Sequence, residues 1–412
     1  MAVDLRQVVA GVLTVTMFVM LANMIKRDHF DSYADTFLDD ASDAEFDGGI
    51  SSFGKSMKDP WIDDNLDLKP CWDSSSYGDV GPSEGFVTFS LINGPEYHVS
   101  QVSDAVVVAR YLGATLVIPD IRGTTAGDTR KFEEIYDVGA FMKSLNGVVK
   151  VNLHHPPSAS DAAVVKLPNR ATADYISEHV EPLYRARKTI RLATFFPSVN
   201  MRKSGGEGGN RIACLGMFGS LKVVPEIGET ADFMMERLRA LSRVSGSRFV
   251  SVDMRVEMLA SKGCEGGGHG GSKSCYSPQE VAVFLRKVGF GKDTVVYVTQ
   301  AKWVEELDAL KDIFPRTYTK ESIMEASKKA KYLNPENSEL EKFLDFKICS
   351  QSDVFVPAVA GLFYANVVGQ RIANGKTEIL VPASIPGTSA QVTNHLSPYI
   401  SKKSHVAYSC YC

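Results

Sequence analysis

The chain has 412 residues, of which 44% are hydrophobic and 23% are charged, a globular composition with enough length for two domains. Its net charge is −4 and it contains no run of lysine and arginine, which argues against nucleic acid as a partner. H-E-x-x-H and G-x-S-x-G motifs are absent, which argues against zincin proteases and α/β-hydrolases. The stretches 49–56 and 266–271 match the Walker and G-x-G-x-x-G patterns, but neither directly joins a predicted strand to a predicted helix, which argues against P-loop NTPases and the common dinucleotide-binding proteins.

The first predicted element is an uncharged run at 8–25, whose length just reaches that of a membrane-spanning helix. A cleaved signal peptide is the alternative, but Lys26, Arg27 and Asp28 follow where a small-x-small cleavage site would stand. Basic residues lie on both sides of the run, so the positive-inside rule does not decide its orientation. A short cytosolic tail (1–7), one anchor and a large downstream region predict a single-pass type II protein facing a secretory lumen.

The next segment, 26–85, is polar and rich in Asp, Ser and Gly, which predicts a flexible luminal stem. The chain has seven cysteines, so at least one thiol stays unpaired if all pairing is intramolecular. Cys264 and Cys275 flank a glycine-rich loop and are candidates for a small disulfide in an oxidising lumen. Zinc is the competing interpretation, but the chain has no C-x2-C pair.

From residue 86 onward, predicted strands alternate with predicted helices, a pattern typical of βαβ units and largely parallel sheets. A glycine-rich break at 201–210 marks the predicted boundary between an N-terminal domain (86–205) and a C-terminal domain (206–412). The predicted fold class is therefore α/β, with two Rossmann-like domains facing a cleft, preceded by a transmembrane helix. The predicted strands are 86–91, 114–120, 148–153, 162–168, 189–196, 248–258, 294–300, 352–358 and 378–383. The predicted helices are 96–112, 132–145, 173–187, 226–243, one starting at the Ser277–Glu280 capping box, one ending near 314, and 361–374.

The stretch FVSVDMRVEM, at 249–258, alternates apolar and polar side chains. A strand covered on both faces by helices should be almost continuously apolar. The alternation therefore allows two interpretations: an edge strand with one face in water, or a strand that presents Asp253, Arg255 and Glu257 to the cleft. The planar guanidinium of an arginine suits a diphosphate leaving group. The pattern alone does not decide between the two.

Several blocks of sequence resemble one family. They are MAVDLRQVVAGVLTVTMFVML, NGPEYHVSQVSDAVVVARYLGATLVIPDIRG, FVSVDMRVE, VAVFLRKVGF, LKDIFPRTYTKE, SDVFVPAVAGLFYANVVG and the tail SPYISKKSHVAYSCYC. From residue 86 to about 382 the chain resembles the plant O-fucosyltransferase-like glycosyltransferases, and within them the mannan-synthesis-related proteins. The resemblance implies a GT-B fold, a type II Golgi membrane enzyme with a luminal catalytic part, a nucleotide-sugar donor, and transfer without a metal or other cofactor.

The resemblance also assigns residues to the donor site. Arg255 matches the arginine of the family's H-x-R motif, which contacts the donor diphosphate, whereas Asp253 replaces the histidine. The family's G-G-x-N loop corresponds here to a segment that begins with Asn93 and Gly94 and ends at Glu96, so one glycine and the asparagine are missing.

The family's C-terminal nucleotide-binding segment corresponds to Ser352 and Asp353 and to a helix opening at Gly361, Leu362 and Phe363. Some relatives use hydroxyl residues for phosphate where this chain has Gly361 and Leu362. Because of these departures, the resemblance does not establish that the donor sugar is fucose or that its nucleotide is GDP.

An inverting transfer needs a base for the acceptor hydroxyl, with a pKa adjusted by burial. Glu96 and Asp253 are both candidates, and Glu96 is preferred because its loop would face the cleft. Each has a structural alternative. Glu96 would stabilise a helix N-terminus as a first-turn acid, and Asp253 would form an ion pair that holds Arg255.

We therefore expect a Golgi glycosyltransferase of cell-wall mannan or glucomannan synthesis, with a nucleotide sugar as donor and a polysaccharide or glycan as acceptor. GDP is one candidate nucleotide. Two alternatives stay open: a weakly active or inactive protein of the same fold that assists a mannan synthase as its partner, and a protein O-fucosyltransferase.

Overall fold

The computed structural model describes residues 69–72, 81–123, 129–168, 172–194, 207–244, 246, 248–261, 275–334, 338–382 and 395–411. The predicted tail, the predicted anchor at 8–25 and most of the predicted stem lie outside these residues. Within the described ranges, no helix is both long and apolar enough to cross a membrane.

Twelve short strands are present in the described part of the chain. They are β1 (Phe86–Thr88), β2 (Ser90–Ile92), β3 (Thr115–Val117), β4 (Asp120–Arg122), β5 (Thr129–Arg130), β6 (Val151–Asn152), β7 (Ala163–Leu167), β8 (Thr189–Thr194), β9 (Phe249–Asp253), β10 (Val295–Val298), β11 (Thr317–Tyr318) and β12 (Val354–Pro357). The helices are α1 (Pro95–Leu112), α2 (Val138–Ser144), α3 (Ala173–Tyr175), α4 (Glu181–Arg187), α5 (Glu207–Cys214), α6 (Pro225–Val244), α7 (Val256–Ser261), α8 (Pro278–Val288), α9 (Asp308–Ile313), α10 (Lys320–Ile323), α11 (Ala326–Tyr332), α12 (Ser338–Gln351), α13 (Leu362–Ala373), α14 (Pro398–Ser401) and α15 (Ala407–Cys410). Short π segments at Ile176–Val180 and Leu215–Gly219 join α3 to α4 and extend α5.

The strands form two parallel sheets and one small mixed sheet, which confirms the predicted α/β class. The first parallel sheet has the order β6-β3-β1-β8-β7, and the second has the order β11-β10-β9-β12. The small sheet has the order β2-β4-β5. The two parallel sheets use strands from 86–194 and from 249–357 respectively. The domain boundary near 205 stays a prediction.

Several predicted elements differ in their bounds. The predicted strand at 86–91 is divided at Phe89 into β1 and β2, because the chain leaves the first parallel sheet and joins the small one. The predicted strand at 114–120 divides in the same way into β3 and β4. The predicted helix at 132–145 is a 3-10 turn (Phe132–Glu134) followed by α2, which starts where the Asp137 side chain accepts a hydrogen bond from the Ala140 N–H. In 378–382, the described part of the predicted strand 378–383, the pairing consists of isolated bridges at Ile379 and Leu380.

The prediction for 248–258 is wrong in one important respect. The strand ends at Asp253, and the chain then turns into α7. All five residues of β9 are buried, and β9 lies between β10 and β12. The interpretation as an edge strand with a wet face is therefore wrong. The burial of Ser251 is tolerated because its hydroxyl pairs with that of Ser352, which lies 2.7 Å away and just before β12.

A disulfide that the sequence did not predict joins Cys214, at the end of α5, to Cys410, at the end of α15. The ring of Trp72 packs edge-on against Tyr411, 5.2 Å away, so residues near both ends of the described chain meet beside this disulfide. Cys275 is also disulfide-bonded, whereas its predicted partner Cys264 lies outside the described residues. Cys349 is a buried free thiol, as the odd cysteine count requires.

Candidate functional site

The candidate site begins at the carboxyl ends of β9, β10 and β12. Parallel register places Val252 beside Val298 and Asp253 beside Pro357, so these strands end at the same edge of the sheet. Hydrogen bonds then fix the turn after β9. The Met254 N–H donates to the Thr299 hydroxyl (2.9 Å), and that hydroxyl donates to Asp253 Oδ1 (3.2 Å). Ligands of α/β proteins bind at this edge of the sheet.

Arg255 lies immediately after this turn. Its guanidinium stacks over the ring of Phe363, with 5.5 Å from Cζ to the ring centroid, and its Nη2 is 3.9 Å from Asp253 Oδ1. The side chain is 17% exposed. Its buried Nε has no hydrogen-bond partner among the described residues. Stacking on an aromatic ring orients a guanidinium without using its N–H donors, so Arg255 keeps donors for a ligand.

Helix α13 begins beside Arg255 and supplies a second element suited to anions. Gly361 immediately precedes the helix with φ 153°, a conformation that glycine tolerates and other residues rarely adopt. Leu362 and Phe363 then form its first turn. Backbone N–H groups in the first turn of a helix favour negative charge, and α13 is twelve residues long. The structure thus brings the predicted residues Gly361, Leu362 and Phe363 to Arg255.

Ser352 and Asp353 lie elsewhere. Both precede β12, whereas Gly361 follows it, so the length of the strand, about 13 Å, separates them from Arg255. Asp353 Oδ2 accepts a hydrogen bond from the Phe249 N–H (3.0 Å) at the opposite end of β9. The Ser352 hydroxyl is fully buried and accepts from the buried Arg371 (3.0 Å). The structure gives both residues partners within the fold and does not bring them to the other predicted donor ligands.

Glu96 lies in the first turn of α1, after Asn93 (φ 69°) and the helix-capping residue Gly94. The backbone carbonyl of Glu96 accepts a hydrogen bond from Asn366 Nδ2 (2.8 Å), on α13 one turn after Phe363. The start of α1 is thereby fixed beside the start of α13. The Glu96 carboxylate is buried, and its Oε2 has no hydrogen-bond partner within the described part of the chain. An acceptor oxygen left unpaired in this position is available for a substrate hydroxyl.

The electrostatics of the site connect Glu96, Asp253 and Arg255. The pKa of Asp253 is raised to about 6, mainly by burial and also by Asp345 and Glu96, whereas Arg255 and the Thr299 hydroxyl oppose the rise. Burial alone would lower the pKa of Arg255, but the surrounding carboxylates more than compensate and raise it. Asp253 therefore changes charge near neutral pH, while Arg255 stays charged.

Several polar residues of the site were not predicted from the sequence. Thr299 and Gln300 follow β10, and the Gln300 amide accepts from the Val256 N–H (3.0 Å) and donates to Glu257 (2.9 Å). A signal was available for these two, because they are polar residues at the end of a predicted buried strand. Lys320 and Asp345 gave no such signal, since they belong to helices α10 and α12, which were not predicted.

No group of three or more His, Cys, Asp or Glu side chains is arranged to hold a metal ion within the described ranges. Transfer without a metal stays a prediction.

Comparison with known proteins gives full-length relatives. The chain is 54% identical over 423 residues to Protein MANNAN SYNTHESIS-RELATED 2 of Arabidopsis thaliana, and both chains are covered completely. It is 44% identical over 416 residues to Protein MANNAN SYNTHESIS-RELATED of Trigonella foenum-graecum, again with both chains covered completely. Among solved structures, apo POFUT1 aligns with 74% of this chain and 99% of its own, at 13% identity and a TM-score of 0.46. This score is too low to support a conclusion.

The match to a family model includes most of the site described above. Residues 94–374, from the residue that caps α1 to the one that follows α13, match the model described as GDP-fucose protein O-fucosyltransferase. Together with the full-length relatives, this match shows that the chain belongs to the O-fucosyltransferase family.

Proposed function

We propose that this protein is a Golgi glycosyltransferase of cell-wall mannan or glucomannan synthesis, anchored as a type II membrane protein, with a GT-B arrangement of its two sheets. The names of its full-length relatives support the pathway, and the family description supports a GDP-linked sugar as donor. The observation that carries the proposal is the position of Arg255. It follows the central strand β9, stacks on Phe363 and adjoins the N-terminus of α13.

In the proposed reaction, the diphosphate of the donor contacts Arg255 and the first backbone N–H groups of α13. The bond between the sugar C1 and the phosphate oxygen breaks, and its electron pair leaves with the nucleoside diphosphate. Arg255 stabilises the charge that develops there. The acceptor hydroxyl attacks C1 from the opposite face and gives its proton to the Glu96 carboxylate, which inverts the configuration at C1. None of these steps calls for a metal.

The test is GDP binding to the purified protein, measured by titration calorimetry, followed by a donor-hydrolysis screen with GDP- and UDP-sugars. Arg255→Ala is expected to weaken GDP binding at least tenfold, because it removes charge-assisted hydrogen bonds to phosphate worth about 1.5–3 kcal/mol. Arg286→Ala is the matched control, since Arg286 is exposed on α8 and donates to the Phe290 carbonyl (2.9 Å), just beyond the end of the same helix. Equal GDP affinity of the Arg255 variant and the parent protein would refute the assignment.

A helper of a mannan synthase is the second candidate, and the charge balance of the site favours it. Four carboxylates act on Arg255: those of Asp253, Asp345, Glu96 and Glu341. This excess of negative charge around Arg255 opposes the binding of a diphosphate anion. Failure to bind any nucleotide sugar, together with co-purification with a mannan synthase, would favour the helper. Transfer of fucose from GDP-fucose to a protein acceptor would instead favour a protein O-fucosyltransferase.

A further inference from the structure

Lys320 is a fully buried cation that the proposed reaction does not use. It begins α10, directly after β11, and its Nζ donates to the Thr299 carbonyl (2.6 Å) and to Asp345 Oδ2 (2.7 Å). Glu341 Oε2 lies 3.4 Å from the same Nζ. A buried ammonium is tolerated only when its charge and its donors are matched. Lys320 meets this condition by joining the end of β10 to two successive turns of α12.

The two carboxylates that Lys320 binds also act on Arg255. Contacts connect the two cations through Thr299, whose carbonyl accepts from Lys320 and whose hydroxyl donates to Asp253, 3.9 Å from Arg255 Nη2. Asp345 and Glu341 also raise the pKa of Arg255. Asp345 is held from a second side by the Tyr297 hydroxyl, which donates to its Oδ1 (2.7 Å). Glu341 has no hydrogen-bond partner for its buried Oε2 among the described residues and depends on Lys320 for charge compensation. If Lys320 were removed, both carboxylates would still interact with Arg255.

We propose that Lys320 is a positioning residue that neutralises Asp345 and Glu341, and thereby leaves the Arg255 guanidinium available for the diphosphate of the donor. The proposal rests on the proposed donor site at Arg255. It assigns Lys320 no contact with the donor, because the side chain is completely enclosed. In this arrangement the fully buried Lys320 compensates the carboxylates of α12, and the partly exposed Arg255 binds the ligand.

The alternative is a purely structural ion pair that holds α10 and α12 against the sheet. Lys320→Met and the double variant Lys320→Met/Asp345→Asn distinguish the two roles, because asparagine keeps the acceptor for Tyr297 while removing the unmatched charge. GDP affinity is measured by titration calorimetry on the folded fraction, verified by circular dichroism. A positioning role predicts that the single variant binds GDP about tenfold more weakly or worse, since an unmatched buried charge near Arg255 opposes an anion. The double variant should recover most of that loss.

Lys331→Met is the matched control, since it removes the same charge from an exposed pair with Glu226 (2.7 Å) and should leave GDP affinity as in the parent protein. If Lys320→Met does not fold, Glu341→Gln tests the proposal in the opposite direction, because it removes a negative charge and should strengthen GDP binding. Weaker binding by Glu341→Gln, or equal loss in the single and double Lys320 variants, would overturn the proposal. If Arg255→Ala itself leaves GDP binding unchanged, the donor site fails instead, so the two failures are distinguishable.

Discussion

Replacing Asp253 by asparagine removes a buried carboxylate whose charged form the fold disfavours. The side chain is 7% exposed, and burial raises its pKa from the ordinary 3.8 to about 6. Asp345 and Glu96 contribute to this rise, whereas Arg255 and the hydrogen bond from Thr299 oppose it. Asparagine has nearly the same shape and cannot ionise, so the substitution isolates the cost of the charge.

The sign and size of the effect follow from the two pKa values. Between pH 3.8 and about 6, the folded protein holds a proton that the unfolded chain releases, so this carboxyl lowers stability as pH rises through the interval. Above about pH 6 the cost is constant, and the difference between the two values corresponds to about 3 kcal/mol. Asp253→Asn should therefore gain up to about 3 kcal/mol over the parent protein between pH 4 and pH 7, a figure that already includes the attraction of the carboxylate to Arg255.

The assay is urea unfolding followed by circular dichroism at several pH values between 4 and 7.5. The quantity of interest is the difference in unfolding free energy between variant and parent, in which groups common to both cancel. Asp308→Asn serves as the control, because Asp308 is exposed and accepts a hydrogen bond from Trp303 (2.9 Å). A difference that stays flat with pH for Asp253→Asn would refute the reasoning and show that the carboxyl is already charged when folded at low pH.

Two further predictions concern the helix starts that meet at Arg255. Glu96→Gln should reduce sugar transfer about 100-fold or more while GDP affinity is kept or improved, since it removes the proposed base and one negative charge; undiminished transfer would assign the proton to another group. Gly361→Ala should lower stability by about 1–3 kcal/mol and weaken GDP binding, because φ 153° strains any side chain. Gly291→Ala, where an added methyl group meets open space, should leave the melting temperature and GDP affinity unchanged. If Gly361→Ala has the same melting temperature as the parent protein, the argument from backbone strain is wrong.

Elements with a local signal were predicted well. The Ser277–Glu280 capping box is formed as expected: the Ser277 N–H donates to Glu280 Oε2 (2.9 Å) and the Glu280 N–H to the Ser277 hydroxyl (3.3 Å). Helix α1 starts at Pro95 and ends at Leu112, and the residue that follows, Gly113, adopts a left-handed conformation. Both ends of this helix are therefore set by residues next to them in the sequence. Such features need only neighbours within a few positions, which a sequence provides directly.

The position at which β9 ends could not be predicted from the local sequence pattern. Period-two alternation extended the predicted strand to 258, because Ser251 and Asp253 appeared to belong to the same polar face as Arg255. In the structure, Ser251 and Asp253 are buried polar groups satisfied by Ser352 and Thr299, which lie 101 and 46 positions away. Burial of a polar side chain depends on such distant partners, and the alternation carried no information about them.

The same reasoning explains why α12 and its charges were not predicted. Its apolar residues Leu340, Leu344 and Ile348 recur at helical spacing and are buried, but Asp345 is buried among them. A buried carboxylate interrupts the apolar face by which an amphipathic helix is recognised in a sequence. Its burial depends on Lys320, 25 positions earlier, whose own short helix has little periodicity. Arg255 could be found from its motif, whereas the charges that set its electrostatic surroundings come from α1, α10 and α12 and become visible only once those helices pack around β9.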